Sequence, residues 1–477
     1  MNSPKKLIRI TTVPLSLQTL IAGQMQYMSQ NGFEVSMISS DFDDKKQLAE
    51  KENAVFIPVD MTRTISPWAD LKALFRLIKV FKKLKPIIVH SHTPKAGLLS
   101  MLAGKITGVP IRLHTVAGLP LMESRGSKRR LLEFVEKVAY RCATKVYPNS
   151  MKLQDFILQS KFCGAEKLKV IGSGSSNGID SSYFQRTAAI AEKARAIKKN
   201  LKLSSKEFVF IYVGRLVRAK GVEELVKAFK NLQQKHPQAI LILLGPEEGA
   251  LDPLSPQTLQ EIQNNRAIVR KEFEADIRPY LSLSHVLVLA SYREGFPNVP
   301  MQAGCFNLPC IVTDINGSNE IIKAGENGLI IPVKDSKSLE FAMERLLQDK
   351  LLYQKLAGNA RRLIVERFEQ QQIWELLLAE YQEHLKNHEE RHQQNQKVVQ
   401  QNNNNNKGPQ NNNDHQQNDQ KTQQSNSQKV NNNDHQQSNL NNNQSNNAKQ
   451  SNNKPHQQNQ SNHKKNLKPN NRVQGSL

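Results

Sequence analysis

The stretch from His285 to Glu320 constrains this chain more than any other. It opens with an apolar run, His285-Val-Leu-Val-Leu-Ala290, and passes through Ser291-Tyr-Arg-Glu-Gly-Phe-Pro-Asn-Val299. A small-residue segment, Met301 to Asn307, leads to a second apolar run, Pro309-Cys-Ile-Val-Thr-Asp314. Short apolar runs without alternation are what parallel strands covered on both faces require, and the segment between them reads as a helix. Strand, tight loop, helix, strand is the unit that sets a helix N-terminus at the carboxyl edge of a parallel sheet. Backbone N–H groups there face an anionic or hydroxyl-rich ligand. Pro297 and Pro300 suit the loop and first helical turn, where a missing N–H removes no bond. Glu294, at the strand end, is expected to point into a cleft with open amides following it.

A second unit of this kind lies upstream. Phe208-Val-Phe-Ile-Tyr-Val-Gly-Arg-Leu216 is a strand ending in Gly214 and Arg215, and Val217-Arg-Ala-Lys-Gly221 precedes a helix from Val222 to about Lys235. Arg215 at the strand end and Lys220 before the helix bring two cations and a helix dipole together. That set can neutralise a diphosphate's two charges without a metal ion. Ala239 to Gly245 reads as a buried strand, Ala267 to Glu272 as an edge strand, and Leu329 to Val333 as a further strand. Amphipathic helices run from Asp335 to about Glu389.

The first half has the same grammar. Lys6 to Val13 reads as a strand followed by one helix from about Ser16 to Gln30, then strands at Glu34–Ser40 and Ala54–Asp60. Asp41-Phe-Asp43 carries no catalytic weight, since two acids in a polar loop are common. From Pro67 to Pro86, Trp68, Leu71, Phe75, Ile78 and Phe81 recur at helical spacing beside Lys72, Arg76, Lys79 and Lys83. The pattern fits a core-packed helix with a solvated basic face, or a surface helix touching anionic lipid. Ile87 to His92 and Ile111 to His114 are strands with His90, His92 and His114 near their ends. No carboxylate or cysteine completes a zinc set there, so a cleft is favoured over a metal. Lys145 to Ser150 closes the first domain, Ser127-Lys-Arg-Arg130 adds positive charge to it, and the turn-rich Gly172 to Asp180 holds the boundary.

Composition bounds the rest. From about Arg391 the sequence is mostly Asn, Gln, Ser, Lys and His, with NNNDHQQ at 411–417 repeated at 431–437. So little apolar surface predicts disorder, and without interleaved aromatics the tail lacks stacking platforms for specific nucleic-acid binding. The remaining 390 residues still hold 55 Lys and Arg against 40 Asp and Glu. That excess favours phosphate-rich substrates or an anionic membrane surface. Cys142, Cys163, Cys305 and Cys310 read as reduced core thiols of a cytosolic protein. No apolar run reaches membrane-spanning length, and no signal peptide is read at the N-terminus.

The segment from Glu294 to Glu320 resembles the donor-binding signature of family-4 retaining glycosyltransferases, which have the GT-B fold. Glu294, Gly295, Phe296, Ala303, Pro309, Thr313, Asp314, Gly317 and Glu320 fall in place, with Gln302 where the family has a second glutamate. Arg215, Lys220 and the Asn177-Gly-Ile-Asp180 crossover also match. The resemblance implies two Rossmann-like doubly wound domains facing a central cleft. An acceptor-side domain would span residues 1–176 and a nucleotide-sugar domain 177–368. A helix at 369–390 would cross back to the first domain, followed by the tail at 391–477. It implies retaining transfer of a hexose or N-acetylhexosamine from a nucleoside-diphosphate sugar, by family a UDP-sugar, to a sugar or polyprenyl-diphosphate-linked glycan acceptor. No metal or other cofactor is expected. By this resemblance Glu294, His114, Arg215 and Lys220 are catalytic, and Gly214, Arg215, Lys220, Glu294, Gly295, Phe296, Pro297, Asn298 and Gln302 bind donor. His92, Lys95 and Ser16 lie on the acceptor side, Ser16 standing in for the glycine pair of the family's first loop. The expected location is cytoplasmic, peripheral on the inner face of the plasma membrane. A sugar-nucleotide-binding scaffold of weak activity and a same-fold epimerase are the competing readings.

Overall fold

The structure, a computed structural model, describes residues 4–405 apart from 63, 65, 120, 122, 123 and 249–251. The first lobe contains strands β1 (Lys5–Ile10), β2 (Phe33–Ser39), β3 (Val55–Pro58), β4 (Ile88–Ser91), β5 (Ile111–Val116) and β6 (Lys145–Pro148). Its helices are α1 (Pro14–Leu20), α2 (Gln24–Gln30), α3 (Lys45–Glu52), α4 (Pro67–Leu84), α5 (Pro94–Ile106), α6 (Gly126–Cys142) and α7 (Met151–Gln159). The second lobe begins with α8 (Ala188–Asn200), followed by β7 (Phe208–Val213), α9 (Val222–Lys235), β8 (Ala239–Leu244), α10 (Pro256–Asn264), β9 (Ile268–Lys271) and α11 (Arg278–Leu283). It continues with β10 (Val286–Leu289), α12 (Asn298–Cys305), β11 (Cys310–Thr313), α13 (Ser318–Ile321), β12 (Gly328–Ile331), α14 (Ser336–Gln348) and α15 (Lys350–Phe368). The last helix, α16 (Gln370–Asn405), returns to the first lobe.

Each lobe is a six-stranded parallel sheet, ordered β3-β2-β1-β4-β5-β6 in the first and β12-β11-β10-β7-β8-β9 in the second. Counted within its own lobe, the second order is the same as the first. The chain direction across each sheet reverses once, between β1 and β4 and between β7 and β10, and ligands bind outside the strand ends at such a point. The strands form because they are apolar on both faces: β8 and β10 are buried at every position. Helix α9 buries Val222, Leu225, Val226, Phe229 and Leu232, one helical stripe, and carries Glu223 and Glu224 in its first turn, where the helix dipole favours them.

Three expectations change. The single helix over 16–30 is two, α1 and α2, interrupted at Ile21 to Gly23. Gly23 adopts φ +81°, and a Cβ on it would lie 2.6 Å from the Trp374 ring of α16, so the break seats that indole. In α4 the core-facing residues are Ala73, Leu77 and Phe81, whereas Trp68 is 85% exposed and Phe75 62%. The expected stripe therefore divides, Phe81 lying in the core and its N-terminal half outside it. The polar residues 391–405 continue α16 as helix instead of beginning a disordered tail, since lengthening an existing helix is far easier than nucleating one. The rest of the expected tail, 406–477, lies outside the described residues.

Helix α16 is held by chemistry as well as packing. Leu377, Tyr381 and Leu385 join the core formed by Leu7, Met25 and Leu113. The fully buried Arg9 donates to Tyr381 Oη at 2.7 Å and to the Gln24 side chain, while His90 Nδ1 lies 2.6 Å from the same Oη. Gln24 Nε2 reaches Asn177 Oδ1 at 2.7 Å, as does Trp374 Nε1. First lobe, crossover and last helix thus meet in one hydrogen-bonded knot.

Candidate active site

The second-lobe site is built at its switch point. Lys220 Nζ lies 2.5 Å from Glu294 Oε1, and Ser291 Oγ donates to the same oxygen at 2.7 Å. Both side chains are largely covered, Lys220 at 22% and Glu294 at 13% exposure. Gly221 fixes this approach, because a Cβ there would lie 2.0 Å from Ala290 O. Arg215 does not join the pair. It leaves the end of β7, half-exposed, and is bound by Glu248 in the loop after β8. Its backbone is held by Tyr212 Oη, which donates to Arg215 O at 2.7 Å.

The signature loop after β10 divides its residues between two surroundings. Phe296 turns inward, with its ring 5.5 Å from Phe368 and against Gly174, and Pro297 is buried. Asn298 is exposed in the first turn of α12, and Gln302 is half-buried one turn on. Gly295 faces the first lobe so closely that a Cβ would lie 1.8 Å from Ala117 O. The Ala117–Gly118 backbone is therefore a wall against Gly295, the residue after Glu294.

That contact corrects the expectation for His114. Its side chain is 2% exposed and lies beneath α5, where a Cβ on Gly97 would come within 2.3 Å of the ring. Ser91 Oγ is 2.9 Å from His114 Nδ1, and burial pushes its pKa down to about 4. His114 is a neutral core histidine three residues short of the lobe contact, facing a helix and not the cleft.

Of the residues expected on the acceptor side, His92 is also buried, its ring tilted by 35° against His90 at 4.2 Å, and neither ring nitrogen has a partner among the described residues. It lines a cavity of about 20 Å³ with Thr115, Tyr147, Asn149 and Ser175. Burial pushes both His90 and His92 well below the usual imidazole value. Thr12 and Thr93 bridge the first lobe's switch point, Oγ1 to Oγ1, at 2.7 Å. Lys95 opens α5 at this edge, but its ammonium is taken: it donates to Asp70 Oδ1 at 2.6 Å, to Thr62 Oγ1 at 3.2 Å and to Thr64 O. Ser16 sits half-buried in α1, its N–H bonded to Val13 O. Among the described residues no cluster of three metal-binding side chains occurs, and the four cysteines are unpaired.

Sequence reasoning did not single out Ser291, Glu248 or the Ala117–Gly118 wall. Ser291 was within reach, three residues before the acid on the same loop. The other two depend on contacts between segments far apart in the chain.

Two doubly wound lobes with an acid and a lysine paired at the second switch point define a GT-B protein. A family model described as Glycosyl transferases group 1 matches residues 193–363, and one described as a Glycosyl transferase 4-like domain matches residues 17–174. The capsular polysaccharide biosynthesis glycosyltransferase CapM of Staphylococcus aureus is 34% identical over 385 residues, covering 81% of this chain and 99% of CapM. An Escherichia coli enzyme named UDP-Gal:alpha-D-GlcNAc-diphosphoundecaprenol alpha-1,3-galactosyltransferase is 28% identical over 77% of this chain and 94% of its own length. Among solved structures, HepE of Anabaena in complex with UDP superposes with a TM-score of 0.67 at 19% identity, over 80% of this chain and all of HepE. The chain belongs to the group 1 glycosyltransferases, of the family-4 type that builds bacterial surface polysaccharides, and is an enzyme of that class.

Proposed function

We propose that the protein transfers a hexose or N-acetylhexosamine, with retention, from a UDP-sugar to a polyprenyl-diphosphate-linked glycan acceptor, without a metal ion. The observation that carries this reading is the Lys220–Glu294 pair at the second switch point. Leaving-group departure builds charge on the donor's β-phosphate, and an ammonium and a guanidinium at this edge stabilise that charge as it grows. Arg215 becomes available by exchanging Glu248 for phosphate oxygens. Glu294 would accept hydrogen bonds from the sugar and offset positive charge at the anomeric carbon. The name of the E. coli relative supports both the lipid-linked acceptor and retention, since UDP-galactose is itself α-linked.

The exterior of the first lobe supports a site of action at an anionic membrane surface, where such an acceptor resides. On α4, Trp68, Leu71 and Phe75 alternate with Lys72, Arg76 and Lys79 as one exposed groove. Helix α6, across α5 from α4, adds exposed Leu131 and Phe134 beside Lys128 and Arg130. Aromatic wedges among cations suit an anionic bilayer, where each Lys or Arg contributes ~1 kcal/mol. No helix among the described residues is long and apolar enough to cross a membrane.

Incubating the purified protein with a panel of UDP-sugars and a polyprenyl-diphosphate-linked N-acetylglucosamine acceptor, with and without EDTA, tests the reaction. An α-linked product with EDTA present is expected. Strict metal dependence, or a β-linked product, would overturn the reading.

A further inference from the structure

The lobe contact contains polar groups that the donor reading leaves unused. Asn316, between β11 and α13, uses both ends of its amide at once: Nδ2 donates to Gly295 O at 3.1 Å, and Oδ1 accepts from Ser150 Oγ at 2.8 Å. Ser150 belongs to the first lobe, is fully buried, and caps α7 by accepting the Leu153 N–H at 3.2 Å. One turn further, Glu320 sets its carboxylate on the next free donors of α7, accepting from Met151 N–H at 2.7 Å and Lys152 N–H at 3.2 Å. These donors have no partner within their own helix, and a carboxylate complements the positive end of its dipole. Helix α13 is anchored from behind by Arg367, which donates to the carbonyls of Glu320 and Ile321. The Ser150 and Glu320 bonds therefore span the lobes, and Asn316 carries that span to Gly295.

We propose that Asn316 is a positioning residue linking the approach of the first lobe to the placement of Glu294, with Glu320 holding the contact. The inference rests on the reading of Glu294 as the group facing the donor sugar. With the lobes together, Ser150 fixes the Asn316 amide, and that amide fixes the carbonyl one residue beyond the acid. Gly295 has no side chain to hold that peptide and can have none, because Ala117 fills the space. With the lobes apart, Ser150 withdraws its donor, the amide rotates freely, and the Gly295 peptide loses its lock. The acid then sets correctly only when both lobes enclose the donor, which protects the sugar nucleotide from water.

Asn316→Ala should lower kcat about tenfold, the scale of one buried hydrogen bond, while leaving the affinity for UDP within about twofold. Asn316→Asp keeps an acceptor for Ser150 but has no proton for Gly295 O, and should lose as much as the alanine variant. Amide hydrogen exchange supplies a readout independent of turnover. Ser150→Ala, made in the first lobe, should raise exchange in peptides spanning 293–298 of the second while leaving β8 unchanged. The proposal fails if Asn316→Asp keeps full activity, if UDP affinity falls in step with kcat, or if exchange over 293–298 does not respond. Should the unaltered protein transfer no sugar from any donor, the donor reading falls, and the exchange measurement still decides the coupling by itself.

Discussion

The two lobes share one strand order and use their charges in opposite ways. In the second lobe Arg215, Lys220 and Glu294 stand at the strand ends around the β7–β10 switch point. In the first lobe the corresponding edge is lined by buried His92 beside Thr12 and Thr93, and exposed basic residues lie outside on α4 and α6, Arg76 among them paired with Asp60 at 2.7 Å. The difference teaches that topology supplies a binding edge but not its chemistry. Under the proposed function, the donor's pyrophosphate would require fixed positive charge in a cleft, whereas a lipid-borne acceptor would meet the protein's exterior first.

The largest test of that contrast is Lys220→Ala, which should reduce turnover by ~100-fold or more while circular dichroism and melting temperature hold, as for loss of a charge-stabilising group. Near-normal turnover would leave the second lobe's charge without a role. Next, Lys72→Ala combined with Lys79→Ala should weaken flotation with vesicles containing phosphatidylglycerol by about 2 kcal/mol, roughly thirtyfold, with no change in UDP affinity. Equal loss with neutral vesicles would show that the face does not read lipid charge.

Acid should distinguish the lobes in stability. His114 has a folded pKa of about 4 against 6.5 when unfolded, so between those values the unfolded state binds the extra proton. The His114 contribution is full well above pH 6.5 and is lost as pH falls, by about 2 kcal/mol at pH 5. His90 and His92, also depressed by burial, add in the same direction, whereas buried Glu136 on α6, pushed up to about 7, opposes them because there the folded state binds the extra proton. Hydrogen exchange at pH 5 should therefore rise first in β4 and β5. Uniform loosening of both lobes would contradict the assignment. The smallest effect is expected of Gln302→Glu, which should retain activity and shift UDP affinity only a few-fold by titration calorimetry. Complete loss would show that neutrality is required there.

Much of the frame was legible because parallel strands buried on both sides must be continuous apolar runs, and Val286–Leu289 and Ala239–Leu244 are such runs. The Lys220–Gly221 and Glu294–Gly295 segments were legible too, since a loop leading into a helix at a strand end has few conformations. The failures have one cause. Helical spacing states which residues share a face, but Trp68, Leu71 and Phe75 share a face that is exposed among the described residues, and no period reports that. His114 reads as a strand-end residue, yet β5 continues to Val116, and three residues decide between helix and cleft. Lys95 looks free in sequence because Asp70 is 25 positions away.

The amino-acid order by itself determined two doubly wound sheets, a cationic strand end and an acid in the second of them, because each follows from interactions within about thirty residues. Tertiary structure decided the rest. It turned His114 inward, gave Lys95 to Asp70, brought Ala117 against Gly295 and set Asn316 between two lobes. Those outcomes depend on which distant backbones meet, and a meeting of that kind leaves no periodic trace along a chain.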